Sequence, residues 1–268
     1  MKKIEFEMLL ANSVKLPMVK IDRKLFLRKE LRGRYSREIV EKAIQYNPAY
    51  AGIGVEDINK IAKSCITAET TKVTALSVAA GLPGGFIMIG TVPIDLTQYF
   101  AHILCILQKL IYLYGWDDLN LDSKEINDET KNLLTLLLGI MFGVKTAVDT
   151  VNKLAAQVAT QVAKKLPQKA LTKGIIYPIV KKVARSLGIK MTKQIFASGI
   201  AKAVPVIGAV TSGGVTFGTF KPMSEKLRKY LASGELASVE YYKNMAAEAV
   251  IGAETMGDIE HHNGELTS

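Results

Sequence analysis

The sequence predicts an all-α protein: a single helical domain with two glycine- and proline-broken apolar helical segments at its centre. Three observations carry that expectation. Apolar residues recur at three-and-four spacing over long stretches, and no stretch shows the strict alternation of a half-buried strand. Breaks between these stretches fall at Gly and Pro, as at Gly81-Leu82-Pro83-Gly84-Gly85, Pro93, Gly115, Pro167, Pro178, Pro205 and Gly213-Gly214. Finally, 49% of the 268 residues are hydrophobic and 22% charged, which supplies a large core and excludes a disordered chain.

Taken in order, helices are expected over Val55 to Ile66, Thr67 to Ala80, Ile94 to Tyr114, Ser123 to Val144, Thr150 to Leu166 and Pro222 to Leu231. Asp122 with Glu125 three residues on forms a capping box for the fourth. Val151, Leu154, Ala155, Val158 and Val162 give the fifth one apolar face. Residues 1–34 form a basic N-terminal segment, 35–232 the helical domain, 233–251 a C-terminal helix, and 252–268 a flexible polar tail.

Two stretches lack any charged residue, Val73 to Ile94 and Ala203 to Phe220. Each approaches the roughly 20 residues that span a bilayer as helix. Gly81, Gly84 and Gly85 interrupt the first, and Gly208, Gly213, Gly214 and Gly218 the second, so a straight transmembrane helix is disfavoured. A re-entrant hairpin and a buried pair of short helices both remain open. The same glycines, at spacings such as Gly81 with Gly85, Gly139 with Gly143 and Gly214 with Gly218, are expected to let helices approach closely.

The formal charge of +10 is unevenly spread. Residues 145–202 hold twelve basic side chains against the single Asp149, and residues 1–42 hold twelve against six acids. In the first of these, Lys164, Lys165, Lys169, Lys173, Lys181, Lys182, Arg185, Lys190 and Lys193 are interleaved with apolar residues at helical spacing. Lys predominance suits diffuse attraction to anionic lipid headgroups. Nucleic acid is a poor counterpart, because its readers favour Arg forks and stacking aromatics and this segment offers only Tyr177 and Phe196. A solvated face that keeps an apolar chain in solution explains the same lysines without a partner.

Chemistry-bearing residues are few. Asp95, Gln98, His102, Cys105 and Lys109 form a polar stripe along one face of an otherwise apolar helix. Asp95 and His102 stand about 10 Å apart along the axis, too far to bond directly, and one reading has them share a ligand or a water in a polar cleft. The plainer reading has the stripe facing solvent or a neighbouring helix end, with Asp95 serving as a cap after Pro93. His261 and His262 fall in the tail, leaving His102 beside Cys105 without an orienting group or oxyanion donors. Gly208 to Gly214 lacks the Lys of a phosphate loop. Asp118 to Glu129 imitates a calcium loop, but Ser123 replaces the Gly its turn needs, and a helix stop at Gly115 followed by an acid-rich capped turn explains the residues. No metal, cofactor or catalytic residue is therefore assigned. Cys65 and Cys105 lie in apolar helical stretches, which excludes a disulfide scaffold and suits a reducing compartment. Glu5 and Glu7 interrupt what a secretory leader would need to be apolar, so none is expected.

Several of these motifs, in this order, carry a family resemblance. Ala80-Gly81-Leu82-Pro83-Gly84-Gly85, then Pro93-Ile94-Asp95-Leu96, then Leu113-Tyr114-Gly115-Trp116 resemble the signature of the EcsC family. Val204-Pro205-Val206-Ile207-Gly208-Ala209, and upstream Asn47-Pro48 with Ala51-Gly52-Ile53, agree with it over roughly residues 35–232. The resemblance implies a context beside an ABC transporter and brings no catalytic residues. The combined expectation is a non-enzymatic protein at the cytoplasmic face of the membrane, binding its anionic surface and a membrane protein such as a transporter. An enzyme or lipid binder with a cleft at Asp95, Gln98 and His102 is the alternative, and a pore-forming or membrane-disrupting effector is a third. Oligomeric state is not legible.

Overall fold

Helix propensity and capping place most of the chain, and the fold is all-α. The structure is a computed structural model that describes residues 6–80, 88–89, 92–119, 121, 126–160, 173–186 and 213–247. At 7, 76–80, 88–89, 92–95, 153–160, 173–175, 186 and 213–218 it describes the backbone only.

The N-terminal layer holds α1 (Phe6–Val14), a 3-10 turn (Pro17–Val19), α2 (Arg23–Leu31) and α3 (Arg37–Gln45). Asp22 caps α2 by accepting from the Leu25 N–H at 2.8 Å, and Ser36 caps α3 by accepting from Ile39. Next come the long α4 (Val55–Ala80) and a two-residue antiparallel ladder, β1 (Met88–Ile89) with β2 (Val92–Pro93), in register Met88 to Pro93 and Ile89 to Val92. The ladder opens directly into α5 (Ile94–Leu113). Then follow α6 (Asp128–Met141), α7 (Lys145–Thr160), α8 (Lys173–Ser186) and α9 (Gly213–Ala232), a 3-10 turn (Glu235–Ala237) and a last helical stretch over 239–247.

Helix α5 is the hub. Its residues from Phe100 to Leu107 are buried on every side, as is the run Leu110 to Tyr114, which is the pattern of a helix with protein all round it. It packs against α1, α2 and the first 3-10 turn, and against α4 and α9. Helix α9 also packs on α6, whose far side takes α7 and α8. The window Leu96–Leu113 has the length and composition to cross a membrane, but most of it is buried among these helices.

Several boundaries differ from expectation, each for a local reason. The two helices expected on either side of Ile66 are one, since nothing in Ile66-Thr67 breaks the ladder. Helix α6 starts at Asp128 rather than Ser123 because Asn127 supplies the cap, accepting from the Thr130 N–H at 2.8 Å. Helix α7 begins five residues early, at Lys145, directly after the turn at Gly143. Helix α9 runs from Gly213 through Pro222, so it begins nine residues before the expected Pro222. Helix α5 opens at Ile94, which puts Asp95 inside its first turn rather than at the cap.

Two glycines end helices as left-handed residues. Gly115 (φ 93°) ends α5, with the Trp116 N–H reaching back to the Ile111 carbonyl, and Gly143 (φ 71°) ends α6, with Val144 reaching Gly139. Gly115 is also a close approach, since a Cβ there would stand 2.5 Å from the Leu236 carbonyl oxygen. The helix contact expected of the Gly139 and Gly143 pair falls on Gly139 alone. A Cβ on it would lie 2.6 Å from Ile179 of α8 and 2.7 Å from Ala147 of α7. Gly81, Gly84, Gly85 and Gly208 lie outside the described residues, and at Gly213, Gly214 and Gly218 only the helical backbone of α9 is described.

Candidate functional site

Buried core positions on α4 recur as Ile58, Ile61, Ala62, Cys65, Ile66 and Val73. That spacing also requires an apolar residue at 69, and Glu69 stands there, 1% exposed. A carboxylate so placed needs partners, because burying an unpaired charge costs several kcal/mol or more. Helix α5 supplies them. His102 donates from Nδ1 to Glu69 Oε1 at 2.6 Å, and Lys109, seven residues and two turns on, reaches Oε2 at 2.8 Å. Lys72, one turn along α4, approaches Oε2 at 3.4 Å.

Burial by itself pushes the Glu69 carboxyl up, but the hydrogen bonds from His102 and Lys109 and the charges of Lys109 and Lys72 outweigh it and hold it at about 2. Lys109 mirrors this: burial presses its ammonium down, and the Glu69 bond more than restores it, so its pKa is raised. The group therefore persists as an ion cluster across the α4–α5 seam.

Sulfur lies alongside. Cys105 donates to the Met18 carbonyl at 3.0 Å, and Gln108 donates to the Val19 carbonyl at 2.7 Å, so the same helix also holds the first 3-10 turn. Burial pushes both the Cys65 and Cys105 thiols up to about 12, and Glu69 pushes the same way. A neutral, hydrogen-bonded thiol is a poor nucleophile. Glu69 and His102 reproduce the carboxylate–imidazole half of a hydrolytic triad. The sulfur nearest in sequence, however, is committed to Met18, and among the described residues Nε2 of His102 has no hydrogen-bond partner. No group of three metal-ligating side chains occurs among the described residues.

The stripe read from the sequence is thus divided. His102 and Lys109 meet on Glu69, Cys105 turns to the N-terminal layer, and Gln98 is half-buried without a side-chain hydrogen bond among the described residues. The side chain of Asp95 lies outside the described residues. Asp118, first of the imitated calcium loop, accepts from the Tyr112 hydroxyl at 2.9 Å, while 120 and 122–125 lie outside the described residues.

Two further buried cations escaped the sequence reading. Arg23, 7% exposed, donates to the carbonyls of Ile44 and Tyr46 at 2.8 Å each and to Trp116 at 3.2 Å, closing the end of α3 against the end of α5. Arg228 on α9 bonds Glu225 at 2.7 Å and also Asn59 of α4, whose Oδ1 accepts from the hydroxyl of Tyr114, just past α5, as well. Neither was separable in sequence from surface charge, though Asn47, which accepts from the Tyr50 N–H and donates to Tyr242, was marked by its Asn-Pro motif.

Lysine of the basic flank faces outward where it is described. On α8, Ile176, Ile179, Val180, Val183 and Ala184 are buried while Lys181, Lys182 and Arg185 are exposed. Lys182 also donates to the Gly143 carbonyl at 3.2 Å, a cation at the carbonyl end of α6. Only the backbone of Lys173 is described, and Lys164, Lys165, Lys169, Lys190 and Lys193 lie outside the described residues. No family model, no curated protein and no solved structure matches the chain.

Proposed function

We propose that the protein is a non-enzymatic, peripheral binder of anionic membrane surfaces, positioned on the cytoplasmic side. One observation carries this: the described helices of the basic flank turn their apolar residues inward and their cations outward, as on α8. A cationic face of that kind is attracted to anionic headgroups by about 1 kcal/mol per side chain near the surface, and salt screens the attraction. The interior supports the non-enzymatic half, since its ion cluster is consumed by helix-to-helix bonding and both thiols are buried. The motif resemblance to the EcsC family adds a setting beside a transporter, with a membrane protein as second partner. Its described motif residues serve turns: Gly52 and Gly115 are left-handed, and Asn47 caps the turn at Tyr50.

Fractionation of cells expressing the protein tests the reading. It should travel with membranes and leave them in a high-salt wash. Retention through an alkaline wash and release only in detergent would contradict peripheral binding and favour insertion.

A further inference from the structure

Helix α2 presents a face unlike any other described surface. Arg23, Phe26, Leu27 and Leu31 are buried on one side. The opposite arc holds Lys24, Leu25, Arg28, Lys29 and Arg32, all exposed. By helical geometry Leu25 sits near the centre of that arc, one turn from Arg28 and Lys29 and two from Arg32. It is 63% exposed, the most exposed large apolar side chain among the described residues. Just before α2, the first 3-10 turn exposes Met18 between Lys15 and Lys20.

Of the cations around Leu25, Arg28 alone is committed among the described residues. Arg28 forms a bidentate pair with Glu41 of α3, at 2.8 and 2.9 Å from Nη2 to the two oxygens. Lys15, Lys20, Lys24, Lys29, Arg32 and Arg34 have no ion-pair partner among the described residues. From 15 to 34 the exposed acids reduce to Asp22, which is occupied capping α2, while Glu30 is half-buried. The basic flank differs: among the described side chains of α7 and α8, none is an exposed large apolar residue.

We propose that the α2 face, with Leu25 at its tip, is the surface that seats on the anionic bilayer. This inference rests on the membrane-binding reading above and deepens it by naming the contact. Charge complementarity selects the occupant. Unpaired lysines whose stems lie along an apolar surface can keep their ammonium groups at headgroup level while a leucine between them enters the acyl boundary. An acidic protein would be expected to meet an aromatic anchor, and the exposed arc of Lys24, Leu25, Arg28, Lys29 and Arg32 holds none. The exposed aromatics, Tyr46 and Tyr50, lie after α3 and pack on one another, with Tyr50 edge-on to Tyr242.

The test compares sedimentation of the full chain with vesicles of phosphatidylcholine alone and with added phosphatidylserine. Leu25→Gln keeps helix propensity and removes the apolar tip, and should weaken binding to the anionic vesicles about tenfold. Lys24→Gln/Lys29→Gln/Arg32→Gln should weaken it about a hundredfold, whereas Lys181→Gln/Arg185→Gln should cost less than either. A second readout uses Leu25→Cys carrying an environment-sensitive dye, which labels selectively because Cys65 and Cys105 are buried. Its emission should shift to the blue on anionic vesicles and stay unchanged with polyglutamate. Wild-type binding that both α2 variants retain in full would overturn the inference and leave the membrane reading standing. Equal binding to polyglutamate, with no dye shift on vesicles, would overturn it in favour of an acidic protein. Absence of any wild-type binding to anionic vesicles would overturn the membrane reading and the inference together.

Discussion

Two regions of this molecule use the same basic residues in opposite ways. At the α4–α5 seam, Lys109 and His102 are drawn into the core by a single carboxylate, and each is bonded to it within 2.8 Å. On the outer faces of α2 and α8, Lys24, Lys29 and Lys181 stand in solvent over buried apolar residues. Inside, Lys109 and His102 are held because both bond the one buried carboxylate, and removing Glu69 takes the acceptor from each. Outside, removing one costs the fold almost nothing, so what holds them there has to be sought beyond the fold. Stability and surface binding should therefore respond to different substitutions, and each of the following cases presses on that separation.

The largest effect is expected at the hub. Glu69→Ala leaves the buried His102 Nδ1 without its acceptor and the half-buried Lys109 without its counter-charge, and should cost about 3–5 kcal/mol in urea unfolding. Replacing the whole cluster, as Glu69→Leu/His102→Leu/Lys109→Met, should recover most of that loss, since apolar isosteres of a buried ion cluster are often neutral. Failure to recover would show that the cluster does more than join two helices.

Acid should act on the same group. The Glu69 pKa is depressed from 4.5 to about 2 by the bonds that outweigh its burial, so the folded state binds the proton less readily than the unfolded chain. Its contribution is fully present above about pH 5 and is lost as pH falls toward 2, a change of about 3 kcal/mol. Unfolding midpoints measured across that window in wild type and Glu69→Gln should converge at the acid end.

Packing comes next. Gly139→Leu forces a side chain into the 2.6 Å and 2.7 Å gaps to Ile179 and Ala147 and should destabilise by about 1–3 kcal/mol. At Gly143 a Cβ would meet, among the described residues, the Lys226 ammonium at 3.5 Å, an ordinary contact, so the cost of Gly143→Ala comes from the left-handed backbone rather than from packing.

Smallest of all should be the surface. Lys181→Gln/Arg185→Gln ought to leave thermal unfolding within about 0.5 kcal/mol of wild type. A larger loss would place these cations in the fold and weaken their assignment to a partner.

Legibility in the sequence followed the same division. Periodicity and the Gly and Pro breaks located α4 to α7 and the second half of α9, and Gly115 and Asn47 were marked by their motifs, whereas α1, α2, α3 and α8 were not singled out as helices. Boundaries slipped where a cap was chosen locally: Asn127 rather than Asp122 starts α6, and Pro222 sits inside α9 because its neighbours continue the helix. The stripe on α5 was visible, but not its partner. Glu69 was signalled only as the one acid between Asp57 and Asp95, at a position where apolar spacing wants a core residue. That departure from pattern, rather than the stripe itself, was the mark of the cluster. Arg23 gave no such sign, because it lies in a run of basic residues and its burial depends on the ends of α3 and α5, far away in sequence.

The separation of inner from outer charge is tested most directly by the salt dependence of wild-type binding to vesicles with and without phosphatidylserine. The account predicts binding to the anionic vesicles that falls steeply as salt rises, and none to the neutral ones. Equal binding to both, unchanged by salt, would contradict it.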